Sequence, residues 1–187
     1  MFCQKRRLKN EWKEFSTTLQ LINNIEVHRC ILLPDRIKIE LHGFCDASEA
    51  AYGAVIYCKA TSATNHTSVR LVCSKSRVSP LKKTTIPRLE LCEAVLLAKL
   101  MYRVKSSLKL ELTTIHLWTD SMIVLSWINK EPHLLKTFVA NRISKIQDLT
   151  EIAQWHHIAS EENPSDLISR GMSAKNLQLS QLWWNGA

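Results

Sequence analysis

Two aspartates stand where strand-like segments end, and they are the first candidates for chemistry. Along residues 37–46 apolar and polar residues alternate, which is the period of a β-strand that ends at Asp46. A second strand, predicted over residues 115–118, leads to Asp120. Right-handed crossovers would make the two strands parallel neighbours, with both aspartates at one end of a sheet. Carboxylate oxygens suit Mg2+ or Mn2+, so the pair predicts a metal site.

Two more acids are expected on helices that border this point. Pro87 opens a long predicted helix, and Glu90 falls in its first turn, on a face otherwise occupied by apolar residues. A carboxylate there is costly unless it is paired or binds metal, although Glu90 taken alone fits better as an acid that complements the helix dipole. Glu93, three residues on, is the second candidate on this helix. Asp166 opens a short final helix.

Together the four acids suit phosphoryl transfer. Mg2+ (or Mn2+) would neutralise the carboxylates, and two ions about 3.5–4 Å apart would serve an in-line displacement at phosphorus. One ion would activate the attacking water and the other would stabilise the leaving 3′ oxygen, so no covalent nucleophile is needed. The residues predicted to be both catalytic and metal-binding are Asp46, Glu90, Asp120 and Asp166.

The composition fits a protein that buries a hydrophobic core and binds a polyanionic partner. Its 187 residues are enough for one domain with short extensions, and 45% of them are hydrophobic. The net charge of +8 favours a partner such as nucleic acid, although a solvated basic surface explains the charge equally well. Carboxylates within a basic protein are what a metal-dependent nuclease needs, because the cations hold the phosphate backbone.

Several other classes of protein are excluded. We expect no membrane span and no secretory signal, because there is no apolar run of about 18 residues and no apolar segment after the first charges. The six cysteines form no C-x-x-C pair, which predicts reduced core residues in a reducing compartment and argues against a zinc site. An intracellular location follows, with cytoplasm and nucleus both open.

The order of the predicted elements is β-β-β-α-β-α-α-β-α, preceded by a helix that Asn10 caps and that packs against another surface. This order indicates an α/β fold whose mixed five-stranded sheet has strands 1–3 antiparallel, strands 1, 4 and 5 parallel, and helices on both faces. The predicted bounds are a helix over 10–22, strands over 37–45, 50–58 and 69–74, a helix over 87–106, a strand over 115–118, helices over 121–128 and 135–149, a strand over 152–158, and a last helix capped by Asn163 that ends at Gly171.

The D-E-D-D order of the acids on these elements resembles the ribonuclease H fold. RLEL at 88–91 resembles that family's helix motif, and WTDS at 118–121 resembles its T-D-S motif. The resemblance is closer to the ribonuclease H region of BEL/Pao-type LTR retrotransposon polyproteins, the Pao retrotransposon peptidase family. The stretches that carry it are HGFCDAS at 42–48, IPRLEL at 86–91, NPSDLISRG at 163–171 and LWWNG at 182–186.

The resemblance implies an endonuclease that cuts the RNA strand of RNA–DNA hybrids and that accompanies a reverse transcriptase domain in its parent polyprotein. It implies three regions: 1–34 like the connection from the reverse transcriptase, 35–172 like ribonuclease H, and 173–187 as a C-terminal extension. Such proteins read groove shape and 2′-hydroxyls. The candidate nucleic-acid contacts, most of them in a predicted basic loop over 75–85, are Lys75, Arg77, Lys82, Lys83, Thr84 and Ser121.

The chain departs from the ribonuclease H pattern in the loop before the last aspartate. Related enzymes usually carry a histidine there, whereas residues 159–163 contain none. Glu161 or Glu162 would stand in for proton handling, and His156 and His157 are expected to be structural. The tryptophans at 183 and 184 are expected to pack on the domain rather than to stack on bases.

Other readings compete with the nuclease. An aspartic peptidase needs D-[ST]-G, and neither Asp46 nor Asp120 is followed by it. Integrases place their glutamate after both aspartates, whereas Glu90 lies between them. A catalytically silent remnant that only binds nucleic acid or a partner stays open, because the loop histidine is missing although all four acids are present.

Overall fold

The computed structural model describes residues 2–28 and 30–187, with side chains from residue 7 onward. Its centre is one five-stranded sheet in the order β3-β2-β1-β4-β5. The β1–β2 and β2–β3 pairs are antiparallel, and the β1–β4 and β4–β5 pairs are parallel. The mixed sheet predicted from the sequence is therefore confirmed. The strands are β1 (Arg36–Ala47), β2 (Ala51–Ser62), β3 (Thr67–Val78), β4 (Thr114–Thr119) and β5 (Trp155–His157).

Seven helices accompany the sheet in the described part of the chain. Short 3-10 turns occupy Leu19–Asn24, Pro132–Leu134, Ile152–Gln154 and Ser160–Glu162. The helices are α1 (Phe2–Thr18), α2 (Ile86–Leu108), α3 (Met122–Ile128), α4 (Thr137–Gln147), α5 (Asp166–Arg170), α6 (Ala174–Leu179) and α7 (Gln181–Asn185).

Both faces of β1 are buried, each against a different layer. One face meets α2 in the larger core, to which α3 and α4 also contribute and in which Leu41 and Leu117 are fully buried. Gly43 allows α2 to lie this close, because a Cβ at this position would stand 2.6 Å from Cδ1 of Leu97. The other face holds Phe44 and a smaller core to which the C-terminal segment contributes.

The C-terminal segment packs on the sheet. Trp183 on α7 is 9% exposed, and its carbonyl oxygen accepts a 2.7 Å hydrogen bond from the hydroxyl of Tyr57. The expectation that this tryptophan packs on the domain is thereby confirmed. The division into residues 1–34, 35–172 and 173–187 stays a prediction.

The N-terminal helix begins earlier than predicted. Asn10 lies inside α1 and caps nothing, because the lysines, arginines and leucine before it are good helix formers without an apolar stripe to signal a helix. Trp12 and Phe15 are 66% and 49% exposed, so the apolar side of α1 is not covered by the described residues.

Several other element bounds differ from the predicted ones. β3 runs on to Val78, so Lys75 and Arg77 lie in a strand rather than in a loop; serine and lysine are poor strand signals, but pairing with β2 continues through them. The predicted strand over 152–158 is a 3-10 turn followed by the three residues of β5. α5 starts at Asp166 with Ser165, not Asn163, at its cap position. The Oδ1 atom of Asn163 accepts from the backbone N–H of Ser165 at 3.1 Å, so Asn163 orders the turn that leads into the helix.

Most of the described cysteines fit the expected reduced core. Cys45 and Cys58 are buried, Cys73 and Cys92 are partly buried, and all are free thiols. Cys30 is exposed, so the core prediction is wrong for this residue, which lies in the segment before β1. Among the described residues there is no helix long and apolar enough to cross a membrane.

Candidate active site

Asp46 and Asp120 lie together at the end of the two central parallel strands. Cys45 of β1 stands opposite Thr119 of β4 in the last paired position, and each aspartate is the next residue in its strand direction. Asp46 is only 6% exposed. Burial raises the pKa of Asp46 to about 6, and the charges of Asp120 and Asp166 act in the same direction, whereas a hydrogen bond from Ser169 lowers it.

Asp166 reaches the same point because α5 is tied to β1. The amide of Asn163 donates to the carbonyl oxygen of Cys45 at 2.9 Å, and the hydroxyl of Ser165 donates to that of Phe44 at 3.0 Å. The Asp166 carboxylate in turn accepts a hydrogen bond from Nε of Arg170. The NPSDLISRG stretch is therefore a docking segment that presents Asp166 beside the end of β1.

Close packing of α5 depends on a glycine in β2. Gly53 pairs with Asp46, and a Cβ at Gly53 would stand 2.3 Å from Cγ2 of Ile168 on α5. Any side chain larger than hydrogen would displace α5, and with it Asp166, from the sheet.

The two glutamates of α2 take different positions. Glu90 is half-buried, and its Oε2 accepts a 2.6 Å hydrogen bond from the hydroxyl of Ser121, whose oxygen also caps α3 by accepting from the backbone of Val124. Glu93 is completely buried; its Oε1 accepts from Thr119 Oγ1 at 3.3 Å, and its Oε2 has no hydrogen-bond partner among the described residues. The prediction that Glu90 rather than Glu93 is the metal ligand is not decided by these positions.

The charges of Asp46, Asp120 and Glu90 all act on the buried carboxyl of Glu93. Burial raises the pKa of Glu93 well above its ordinary value, and the charges of Asp46, Asp120 and Glu90 add to this effect. The charged form of Glu93 is therefore disfavoured. Glu90 is connected to Asp120 through Ser121. Ser121 donates to Glu90, directly follows Asp120 in the chain and caps α3.

Two serines that sequence reasoning missed hold the aspartates. Ser160, in the loop before Asp166, donates to Asp120 Oδ2 at 2.6 Å, and Ser169 on α5 donates to Asp46 Oδ2. Ser169 could have been suspected, because it lies one turn after Asp166 on a short helix. Glu161 and Glu162 are exposed.

Comparison with known families decides the relationship. Residues 4–121 match the family model described as the Pao retrotransposon-like RNaseH-like domain. The chain belongs to this family. The ribonuclease H-like fold predicted from the motif order is confirmed.

RNase H domains are among the solved structures to which this Pao domain is similar. The N-terminal RNase H domain of rv2228c from Mycobacterium tuberculosis is 14% identical, with 67% of this chain and 85% of that chain covered and a TM-score of 0.43. RNase H1 from Halobacterium salinarum is 11% identical, with 68% and 90% covered and a TM-score of 0.39. LC11-RNase H1, in complex with RNA/DNA hybrid, is 18% identical, with 75% and 99% covered and a TM-score of 0.43. No curated protein matches the Pao domain.

The predicted nucleic-acid contacts of the Pao domain lie in two settings. Ser121 is 6% exposed and bonded to Glu90, so it belongs to the acid site rather than to an open surface. The four basic side chains are exposed, and Thr84 is partly buried beside them in the segment before α2. Arg77 also borders a pocket of about 170 Å3 together with Lys99 of α2 and Arg142 of α4.

One group of side chains among the described residues of the Pao domain has its ligand atoms close enough together to hold a cation. It is Glu40, His42 and His116, whose ligand atoms, one from each residue, all lie within 4.8 Å of one another. This group stands further back on β1 and β4 than the acids. The acids offer only oxygen ligands, and in the described side-chain positions they do not form a second group of this kind.

Proposed function

We propose that this Pao domain is a metal-dependent endonuclease that cuts the RNA strand of RNA–DNA hybrids. The observation that carries the proposal is that Asp46 and Asp120 follow the last paired residues of β1 and β4 at one end of the sheet. Burial there raises the pKa of Asp46 to about 6, and the charges of Asp120 and Asp166 add to the shift. Carboxylates held close together disfavour one another's ionisation, and a divalent cation bound between them offsets that cost. Such sites are typical of function rather than of stability.

The donor set fits Mg2+ or Mn2+. All the groups are carboxylates, and hard oxygen ligands suit these ions better than they suit zinc. Asp46, Glu90, Asp120 and Asp166 would hold the metal, with two ions as the proposed number. Bound there, the metal would activate water and stabilise the leaving 3′ oxygen.

Serine hydroxyls beside the acids orient the carboxylates of the proposed site. The Ser169, Ser121 and Ser160 hydroxyls each donate to a different acid, so each carboxylate is oriented before substrate arrives. Glu93 on α2 is fully buried, and its Oε2 has no hydrogen-bond partner among the described residues. Proton handling by Glu161 or Glu162 stays part of the proposal, and both side chains are open to solvent.

An RNA–DNA hybrid is the proposed substrate. The net charge of +8 and the exposed Lys75, Arg77, Lys82 and Lys83 suit a phosphate backbone. The reverse transcriptase domain of a parent polyprotein is the proposed protein partner, because α1 exposes Trp12 and Phe15 along one side.

A silent binding module is the second candidate. The observation that favours it is the loop over 159–163, which has no histidine and places Ser160 against Asp120. Such a module would keep the basic surface and lose the chemistry.

Cleavage of a hybrid carrying a label on the RNA strand separates the two candidates. The purified full chain is incubated with Mg2+ or Mn2+ beside Asp46→Asn, and with Asp148→Asn as a control because Asp148 is an exposed aspartate after α4. Metal-dependent cutting that Asp46→Asn loses and Asp148→Asn keeps supports the nuclease. Binding of the hybrid without cutting by folded wild-type protein would support the silent module.

A further inference from the structure

A row of imidazoles crosses the sheet on the face opposite α2. Its members are His42 on β1, His116 on β4 and His156 on β5, with Glu40 beside them on β1. We call these four residues the histidine group. It lies toward the start of β1 and β4, whereas the acids stand at the ends of these strands, and neither the proposed nuclease chemistry nor the core requires four polar groups here.

The spacing within the histidine group suits a metal ion. One ligand atom from each of Glu40, His42 and His116 lies within 4.8 Å of the other two. Nε2 of His116 stands 3.7 Å from Oε1 of Glu40, and the His42 and His116 rings stack with centroids 4.9 Å apart. Small side-chain rotations would bring these atoms to the distances of about 2.0–2.2 Å that nitrogen and carboxylate ligands keep from Zn2+.

His42 supplies an independent observation that points to a ligand. Its Nε2 is buried and has no hydrogen-bond partner among the described residues. A buried ring nitrogen without a partner costs free energy, and native proteins rarely leave one unsatisfied. A metal ion at Nε2 would satisfy this atom.

His156 has the geometry of an orienting partner. Its Nε2 stands 3.1 Å from Nδ1 of His116, so one ring donates to the other and fixes the orientation of His116. That contact leaves Nε2 of His116 turned toward Glu40. Ligating histidines usually have such a partner at their second nitrogen.

Lysines compete for Glu40 without closing the site. Nζ of Lys38 lies 2.9 Å from Oε1 of Glu40, and Nζ of Lys59 lies 4.0 Å from Oε2. Both lysine side chains are about 40% exposed, at 44% and 40%, so their ammonium groups can move into water when a dication arrives. Thr114 Oγ1 donates to Oε1 of Glu40 and leaves Oε2 available.

A route from solvent reaches the group. His116 and His156 line an open cleft of about 470 Å3 at the start of β4, together with residues of the turn before β5. An ion can therefore reach His116 without unfolding of the sheet.

We propose that Glu40, His42 and His116 bind a borderline transition-metal dication, Zn2+ or a chemically similar ion, with His156 orienting His116. Nitrogen donors select such ions over Mg2+, so this site and the acid site would take different metals. The ion would join β1 to β4 and so stabilise the centre of the sheet.

Zn2+ affinity measured against a chromophoric chelator tests the site. All proteins carry Cys30→Ser, because the exposed thiol would otherwise bind zinc. The variants are His42→Gln and His116→Gln. His157→Gln is the matched control, since His157 is an exposed histidine next to His156, and Asp46→Asn reports on the acid site.

We expect one equivalent of Zn2+ in the Cys30→Ser protein, in His157→Gln and in Asp46→Asn. His116→Gln and His42→Gln should bind at least about tenfold more weakly, and the rise in Tm caused by Zn2+ should disappear with them. Unchanged binding in His116→Gln, loss of binding in Asp46→Asn, or no Zn2+ bound by the parent protein would each overturn the site. If His42→Gln fails to fold, His116→Gln decides, because its side chain is 29% exposed.

Discussion

The hydroxyl of Ser169 donates a hydrogen bond to Oδ2 of Asp46, although 123 residues separate the two in the chain. The carbonyl oxygen of Ser169 in turn accepts from the hydroxyl of Ser48 at 2.6 Å, so α5 is tied to the end of β1 from both sides. Because this contact also lowers the pKa of Asp46, Ser169 affects both the orientation and the charge of the acid. Ser169 is a positioning residue for Asp46.

Removing the Ser169 hydroxyl should weaken the site without removing an acid. We expect Ser169→Ala to lower the free energy of unfolding by about 1–3 kcal/mol, because Asp46 would keep a buried oxygen without its donor. Hybrid cleavage should fall roughly 10–100-fold. The acid limb of the pH–rate profile should move to higher pH, since losing the donor raises the pKa of Asp46 further above about 6.

Denaturant unfolding and cleavage at several pH values check this variant. Ser144→Ala serves as control, because Ser144 is an exposed serine within α4. A Ser169→Ala profile that keeps the wild-type acid limb would contradict the role of this hydroxyl.

The stability of the domain should depend on pH through Asp46. Its pKa of about 6 in the folded chain lies above the ordinary value of 3.8, so the folded form binds this proton more tightly than the unfolded form. The stabilisation that the Asp46 proton contributes to the folded form is complete below pH about 4 and is lost as the pH rises through about 6. Asp46→Asn has no such proton, so its stability relative to wild type should rise by roughly 2–3 kcal/mol across this range.

Urea unfolding between pH about 4 and 7, with a chelator present, measures the effect. Asp148→Asn should show no comparable change, because this exposed aspartate after α4 is not buried on folding. Parallel pH curves for wild type and Asp46→Asn would sink the prediction.

Replacement by glutamine should distinguish the two glutamates of α2. Glu93 is fully buried and its pKa is raised well above the ordinary value, so its neutral form is favoured, and glutamine has nearly the same shape as that form. We expect Glu93→Gln to keep its fold and most of its activity. Glu90→Gln should reduce cleavage at least about 100-fold, which is more than loss of an orienting partner usually costs.

Cleavage rates and melting temperatures of both variants provide the measurement, and each variant serves as the control for the other. If Glu93→Gln loses cleavage while Glu90→Gln keeps it, the assignment of the two glutamates must be exchanged.

The sheet could be predicted from the sequence because its signals are local. The alternation along β1 and the short connections around β2 determine the meander, and the long connection to β4 requires a crossover. The positions of Asp46 and Asp120 follow from strand ends for the same reason. The partners of the acids could not be predicted, because Ser160 and Ser169 reach them only through the path of a loop and the docking of a five-residue helix.

The complete burial of Glu93 could not be predicted from the sequence either. Glu90 and Glu93 lie three residues apart on one helix, so helical periodicity alone predicts that both face the sheet. Only the exact rotation of α2 decides that Glu93 is enclosed while Glu90 meets Ser121 at the rim. The same limit applies to the histidine group, since its members come from three strands and share no motif.

The basic segment before α2 should contribute to hybrid affinity through charge alone. Lys82 and Lys83 are exposed and form no ion pair in the described part of the chain. If both contact phosphates, the double variant Lys82→Ala/Lys83→Ala should bind hybrids of every sequence more weakly. The slope of log affinity against log salt concentration should become shallower by about one to two units. Fluorescence anisotropy with a labelled hybrid at several salt concentrations measures the slope.

A single lysine elsewhere provides the control for this charge effect. Lys175→Ala on α6 also removes an exposed positive charge, but it lies in the C-terminal segment rather than beside α2. We expect Lys175→Ala to leave the salt slope unchanged, because a distant charge acts on the hybrid only through a screened field. Equal slopes for wild type and the Lys82/Lys83 double variant would remove these lysines from the binding surface and leave Lys75 and Arg77 on β3 as the remaining basic candidates.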